Sequence, residues 1–289
     1  MILPWLLLLL PIGSDPDSSP FVAALKEAYL ARTPLALAYE GNLEQARDHA
    51  RQFVDALVPH LGPVVGYKAA LTNPAARARM GVDRPLLGAL LEKMLVRDGA
   101  VVPVGFGAQA FMEGDLVVRV GSEAINRATT RGEAMAALDA VFPFMECPDL
   151  VFGPGVPLTG PAILAINAGA RLGVLGEAVP VTDPDVWVDR IAEIRVVLED
   201  GQGNRLVEGV SAALMGHPLD AVLWIRDEVR SLGKTLRKGD LLSLGSITAL
   251  VRVAGPGKFV ARYEGLVPEK IVSAGIELVD DAGQAGKPR

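Results

Sequence analysis

An α+β fold built on a largely antiparallel or mixed sheet system is predicted by three observations. Helical periodicity is concentrated before residue 62, short apolar runs bounded by Gly, Pro and Asp recur from residue 63 onward, and few helical stretches separate those runs. A doubly wound parallel sheet would alternate strand and helix, and no Rossmann or P-loop phosphate cradle follows any strand. At 289 residues, with 50% hydrophobic and 21% charged residues, the chain can bury a sizeable core. A net charge of −6 without a clustered Lys/Arg run argues against nucleic acid as a partner. One cysteine, Cys147, excludes an intrachain disulfide framework, and no Cys/His cluster suits structural zinc.

The elements follow in order. Ser14–Pro20 is a turn-rich linker able to cap a helix near Phe21, where Val22, Leu25, Ala28 and Tyr29 keep helical spacing. A second helix spans Asn42–Leu61, with Ala46, Phe53, Leu57 and Leu61 on one side. After Gly62-Pro63, Val64–Lys68 reads as a strand, Asn73 caps a short helix through Met80, and 81–88 is a loop. Strands are expected at 101–104, 116–120 and 142–146, with a helix over Thr130–Leu138 that opens on a capping box. Residues 152–160 are irregular, and 161–170 are helical. Then 193–199 and 205–208 form a hairpin, 218–232 a helix with Ala221, Val222, Ile225 and Val229 inward, and 241–244, 249–253, 258–263 and 271–278 strands.

Residues 1–13 are continuously apolar but shorter than the roughly 20 residues a membrane-spanning helix takes. They resemble the apolar core of a secretory signal peptide without its basic start, which predicts an exported or periplasmic protein. A miscalled start codon in a cytoplasmic protein, and an apolar arm packing on the domain, are the alternatives. Residues 1–19 are accordingly set apart as signal or arm, 20–62 as a helical region, 63–280 as the main domain, and 281–289 as a tail with little to bury.

The chemistry is expected between Phe111 and Asp149. Glu113 and Asp115 stand one residue apart at the entrance of a strand, so their side chains share a face, and Glu146 follows in Phe144-Met-Glu-Cys-Pro. Three carboxylates without histidine or thiolate suit a hard divalent cation such as Mg²⁺ or Mn²⁺. The same spacing also suits two solvated acids at a strand entrance and a third at a loop. Cys147 reads as a buried inert thiol, His217 as structural in a turn before a helix, and His49 and His60 as surface positions on the second helix.

Separated phrases then agree with one family. Gly66-Tyr-Lys68, Gly81-Val-Asp83-Arg-Pro85, Glu113-Gly-Asp115, Phe144-Met-Glu146, Leu214–Trp224, Ser231–Asp240 and Leu244-Gly-Ser246 resemble, in order, the 2-keto-4-pentenoate hydratase and 4-oxalocrotonate decarboxylase group of the fumarylacetoacetate hydrolase superfamily. The resemblance, over about residues 21–278, implies a mixed β-sandwich or β-roll core with an N-terminal helical region in a homo-oligomer. It also implies Mg²⁺ or Mn²⁺ held by Glu113, Asp115 and Glu146, with the family's second Glu shortened to Asp. Lys68 is implied in proton transfer or in holding the substrate carboxylate, Asp83 in relaying protons or orienting Lys68, and Gly245 and Ser246 in substrate contact. The implied reaction is hydration of a small 2-oxo or 2-hydroxydienoic acid through a metal-stabilised enolate. Decarboxylation or C–C hydrolysis on the same scaffold, or a silent small-acid binder, are the alternatives.

This chain departs from the family pattern in two places. Ala165-Ile-Asn-Ala-Gly169 replaces a phrase that carries an acid and a hydroxyl, and Cys147-Pro-Asp-Leu-Val151 replaces an apolar run with a Ser-Arg pair, where Pro148 would alter strand pairing.

Overall fold

The computed structural model describes residues 19–281. The expected signal or arm and the tail lie outside the described residues, apart from Ser19 and Asp281. No helix among the described residues is long and apolar enough to cross a membrane.

Two helices open the chain. α1 (Pro20–Ala31) begins on a proline and buries Phe21, Val22, Leu25, Ala28 and Tyr29, the face its spacing predicts. α2 (Leu43–Leu61) is opened by a capping box between Asn42 and Gln45, and buries Ala46, Ala50, Phe53 and Leu57. β1 (Val64–Ala70) follows, then α3 (Pro74–Met80), where Asn73 accepts the Ala75 N–H at 2.8 Å. The expected loop at 81–88 ends early, because Leu86 already enters β2 (Leu86–Leu91), an apolar run whose short length gave periodicity little to show. β3 (Leu95–Arg97) and β4 (Ala100–Pro103) lead to β5 (Phe111–Val120), which starts well before the branched run that announced it.

The Thr130–Glu133 capping box opens α4 (Arg131–Ala136), but β6 (Leu138–Cys147) takes over the end of the expected helix. α5 (Gly160–Ala165) also stops short of expectation: Asn167, Ala168 and Gly169 all have positive φ and cannot continue it. β7 (Leu172–Leu175) and β8 (Val179–Pro180) precede α6 (Pro184–Arg190), a helix the sequence reading left out, capped by Asp183 and anchored by buried Trp187. β9 (Arg195–Asp200) and β10 (Arg205–Val210) form the expected hairpin. In α7 (Pro218–Ser231), Arg226 joins the buried side and donates to the Ala128 carbonyl. β11 (Leu241–Ser243), β12 (Val251–Arg252), β13 (Gly257–Val267) and β14 (Lys270–Val279) complete the chain.

The strands form two mixed sheets. The larger has the order β2-β1-β11-β5-β6-β7-β3, with β12 on β5 and β8 on β6; the smaller is β10-β9-β13-β14-β4. Their facing sides pack into the main core, in which Met112, Leu116, Val118 and Met145 meet Val196, Leu198, Ala261 and Tyr263. A second core joins α1 and α2 to β2 and α5 through Leu25, Phe53, Leu86, Leu91 and Ile163.

One connection shapes the site. β2 and β3 are the two edges of the larger sheet, yet only Glu92–Met94 separate them in the chain. Such a link reaches at most about 14 Å, so the sheet curls until its edges approach. The result is a roll whose inner face carries Glu113, Asp115 and Val117 from β5, and Phe142, Phe144 and Glu146 from β6.

Candidate metal and proton-transfer site

Strand register assembles the carboxylates. Glu113 lies directly opposite Glu146 in the β5–β6 ladder, and Asp115, two residues on, points to the same face. The glycine between the two acids faces the other sheet, where a Cβ would come within 2.5 Å of Val196 Cγ1. Sheet packing thus requires Gly114, and the alternation delivers an acid on either side of it.

The inner face of the roll is nearly dry. Glu113 is 4% exposed, Asp115 0%, Glu146 2% and Lys68 2%. Lys68 reaches across the roll from β1, donating from Nζ to Glu146 Oε1 and, at 3.1 Å, to the Ala168 carbonyl. That carbonyl is aimed by the positive-φ run at 167–169. The Asn167 carboxamide ties this run to the edge strand, accepting the Ala89 N–H at 2.7 Å and donating to the Ala89 carbonyl at 2.9 Å. The Oε2 atoms of Glu113 and Glu146 are buried with no hydrogen-bond partner.

The electrostatics are unbalanced. If all three carboxylates ionised, one lysine would leave two uncompensated negative charges inside the roll. Burial, then the adjacent Glu146, pushes the Glu113 carboxyl well above the usual range, against the opposing influence of Lys68 and the Ser246 hydroxyl. Asp115 is pushed up by burial and by Glu146, against hydrogen bonds from Ser243 and the Leu116 N–H. A buried acid cluster with two orphaned oxygens and too little positive charge has the chemistry of a hard-cation site. Even so, no three Asp, Glu, His or Cys side chains among the described residues stand ready as a ligand set. Both oxygens of Asp115 accept hydrogen bonds from the chain itself.

The other expected residues fall as follows. Ser246 is half-buried beside Glu113. Gly245 has φ +108°, and its Cα lies so close to Thr72 that a Cβ would stand 2.7 Å from the Thr72 hydroxyl. Asp83 is not brought to the cluster: its side chain is 82% exposed, its ionic partner is Arg84, and Lys68 is oriented by Glu146 and Ala168 instead. Asp83 lies on the rim of a cavity of about 560 Å³ between α2, the β1–β2 pair and the end of α7, which the carboxylates do not line. Cavity size and acid chemistry therefore point to different places, and the chemistry decides for the roll interior. Cys147 points into the main core, where burial pushes its thiol up. His217 caps α7 by accepting the Leu219 N–H, and its other ring nitrogen meets the Val188 carbonyl at 3.0 Å.

Three contributors escaped the sequence reading. Ser243, alone among leucines in Leu241-Leu-Ser-Leu, donates to Asp115, and its polarity in an apolar strand was the available signal. Asn167 showed only as part of a departure from the family pattern. Tyr263 reaches over from the smaller sheet, and its hydroxyl lies 2.6 Å from the Asp115 carbonyl, touches the Phe144 carbonyl, and accepts the Phe144 N–H at 3.0 Å. Asp149, at the end of the singled-out stretch, folds the chain locally by accepting the N–H groups of Ala108, Gln109 and Val151.

Comparison with known proteins identifies relatives, although no family model matches the chain. It is 31% identical over 210 residues to a 2-keto-4-pentenoate hydratase of Burkholderia vietnamiensis, covering 70% of this chain and 75% of that protein. It is 29% identical over 205 residues to a 4-oxalocrotonate decarboxylase of Pseudomonas putida, with the same coverage of 70% and 75%. Among solved structures, 4-oxalocrotonate decarboxylase from Pseudomonas putida G7, complexed with magnesium and adipate, superposes with a TM-score of 0.75 at 25% identity over 90% of this chain and 97% of that one. Fumarylpyruvate hydrolase from Pseudomonas aeruginosa, with Mn²⁺ and pyruvate, shares the fold at a TM-score of 0.55 and 15% identity, over 74% and 89% of the two chains. On the 31% identity across three quarters of the hydratase, the chain belongs to the 2-keto-4-pentenoate hydratase and 4-oxalocrotonate decarboxylase group of the fumarylacetoacetate hydrolase superfamily.

Proposed function

We propose that this protein is a divalent-cation-dependent lyase that adds water to a small 2-hydroxydienoic or 2-oxo acid. The observation that carries the reading is the buried cluster of Glu113, Asp115 and Glu146, with Lys68 as its only cation among the described residues and two carboxylate oxygens unpartnered. It stands in a chain whose relatives include a 2-keto-4-pentenoate hydratase.

Glu113 and Glu146 would hold Mg²⁺ or Mn²⁺ through those free oxygens, with Asp115 beside them. When bound, the cation supplies the positive charge that polarises a 2-oxo acid's carbonyl and eases proton movement at the adjacent carbon. The chain's own groups do the rest. A lysine ammonium carries three donors, and Lys68 meets two protein acceptors, which leaves one N–H for a substrate carboxylate or for proton delivery. Glu146 and the Ala168 carbonyl fix where that N–H points. The Ser246 hydroxyl, at the edge of the buried cluster, is placed to meet a substrate oxygen, and the Leu- and Phe-lined roll beneath excludes water from the proton path.

Decarboxylation is the second reading, favoured by the superposition on 4-oxalocrotonate decarboxylase over 97% of that chain. The purified protein with Mn²⁺ should be offered a panel of 2-hydroxydienoic, vinylogous 2-oxo and acylpyruvic acids. A hydrated product without CO₂ supports hydration, CO₂ release supports decarboxylation, and binding of every acid with turnover of none refutes both. Glu113→Ala and Glu146→Ala should abolish Mn²⁺ binding while retaining the circular dichroism of the fold. Normal Mn²⁺ binding by either variant would show that the site is wrong.

A further inference from the structure

The three acids of the cluster are not equivalent. Glu113 and Glu146 face each other and each leaves Oε2 buried and unpartnered. Asp115 leaves no such atom: Oδ1 accepts the N–H of the next residue, Leu116, and Oδ2 accepts the Ser243 hydroxyl. Both oxygens of this carboxylate are thus engaged by the protein itself, one of them by the amide of its own neighbour. Ser243 holds the other. It stands opposite Val117 in the β5–β11 ladder, which makes Asp115 its diagonal neighbour on the same face, and it is completely buried, so water does not compete for its proton.

We infer that Ser243 is a positioning residue that holds Asp115 as an outer-sphere carboxylate, so that the cation is bound directly by Glu113 and Glu146 and reaches Asp115 through water. The inference rests on the reading that this cluster takes a divalent cation. The ligand count suits Mg²⁺ and Mn²⁺: a small hard ion commonly keeps several waters and takes one or two protein carboxylates. Asp115 then contributes charge and accepts from bound water, and Ser243 sets the direction in which it does so.

Mn²⁺ affinity of the full chain, measured by titration calorimetry, tests the assignment without reference to turnover. Glu113→Gln and Glu146→Gln should lose measurable binding. Asp115→Asn should weaken it by about tenfold, the size expected for a group acting behind the ligands. Ser243→Ala should weaken it by a similar factor, Ser243→Thr should restore it, and Ser243→Ala with Asp115→Asn should bind no worse than Asp115→Asn alone, since the serine acts through the aspartate. The assignment is overturned if Asp115→Asn is as damaging as Glu113→Gln, or if Ser243→Ala lowers the melting temperature yet leaves affinity unchanged. If Ser243→Ala does not fold, the comparison of Asp115→Asn with Glu113→Gln decides. Failure of the unaltered protein to bind Mn²⁺ would instead refute the cation reading itself.

Discussion

Lys68→Met keeps the length of the side chain and removes the one positive charge in the acid cluster. Lys68 and Glu146 are each 3% exposed in their side chains, so solvent screens neither. Removing one partner of such a pair typically costs about 3–5 kcal/mol, because the other charge stays buried and unpaired. The Ala168 carbonyl also loses a donor. A loss of about 3–5 kcal/mol is therefore expected, against a total stability on the order of 5–15 kcal/mol for a folded domain. Urea unfolding of the chelator-treated protein at neutral pH should show an earlier midpoint at unchanged slope. Lys68→Met alone should bind Mn²⁺ more tightly because the competing ammonium is gone, and adding Glu146→Gln to it should recover part of the lost stability while abolishing Mn²⁺ binding. A loss below about 1 kcal/mol, the range of exposed ion pairs, would refute the claim that this pair is buried and balances the cluster.

Other expectations follow from the same geometry. The folded-state pKa values of Glu113 and Asp115 are raised, so their contribution to stability is fully present below the ordinary carboxylate range and is lost as pH rises through the folded values. The metal-free protein should therefore melt at lower temperature as the medium becomes more alkaline, Mn²⁺ should reverse the trend, and Glu113→Gln should flatten it; a profile unchanged in Glu113→Gln would rule out this source. Tyr263→Phe leaves the Phe144 N–H without its acceptor in the core and should cost about 1–3 kcal/mol in urea. Asp149→Ala strands three backbone N–H groups and should cost at least as much, while leaving Mn²⁺ affinity unchanged; a parallel loss of affinity would show that its loop and the metal site are coupled.

Much of the fold was legible because local rules carried it. The faces of α1 and α7, the Asn73 and Thr130 caps and the β9–β10 hairpin follow from spacing and turn chemistry that depend on near neighbours in the chain. Where long-range pairing competes with local preference, the reading failed. β2 is a strand because β1 pairs with it along its whole length, the first half of β5 because β12 and β6 flank it, and the end of the expected helix at Leu138 was drawn into β6 by its ladder with β5. α6 was missed because about two turns with a single buried tryptophan give too little periodicity to stand out.

The sequence by itself determined the inventory of the site: Glu113 and Asp115 on one face of a strand, Glu146 and Lys68 in phrases shared with a family, and an acidic chain without a cysteine or histidine cluster. Only the tertiary structure decided how these groups relate. Curling of the sheet, imposed by the short link between its edges, brings Lys68 across to Glu146 and leaves Asp83 in solvent. Neighbouring strands tie Asp115 to Ser243, 128 residues away in the chain, and leave Glu113 and Glu146 with free oxygens. Spacing reports which face a side chain takes. Which partner meets it there is settled by strand register, curvature and burial, and these belong to the folded chain as a whole.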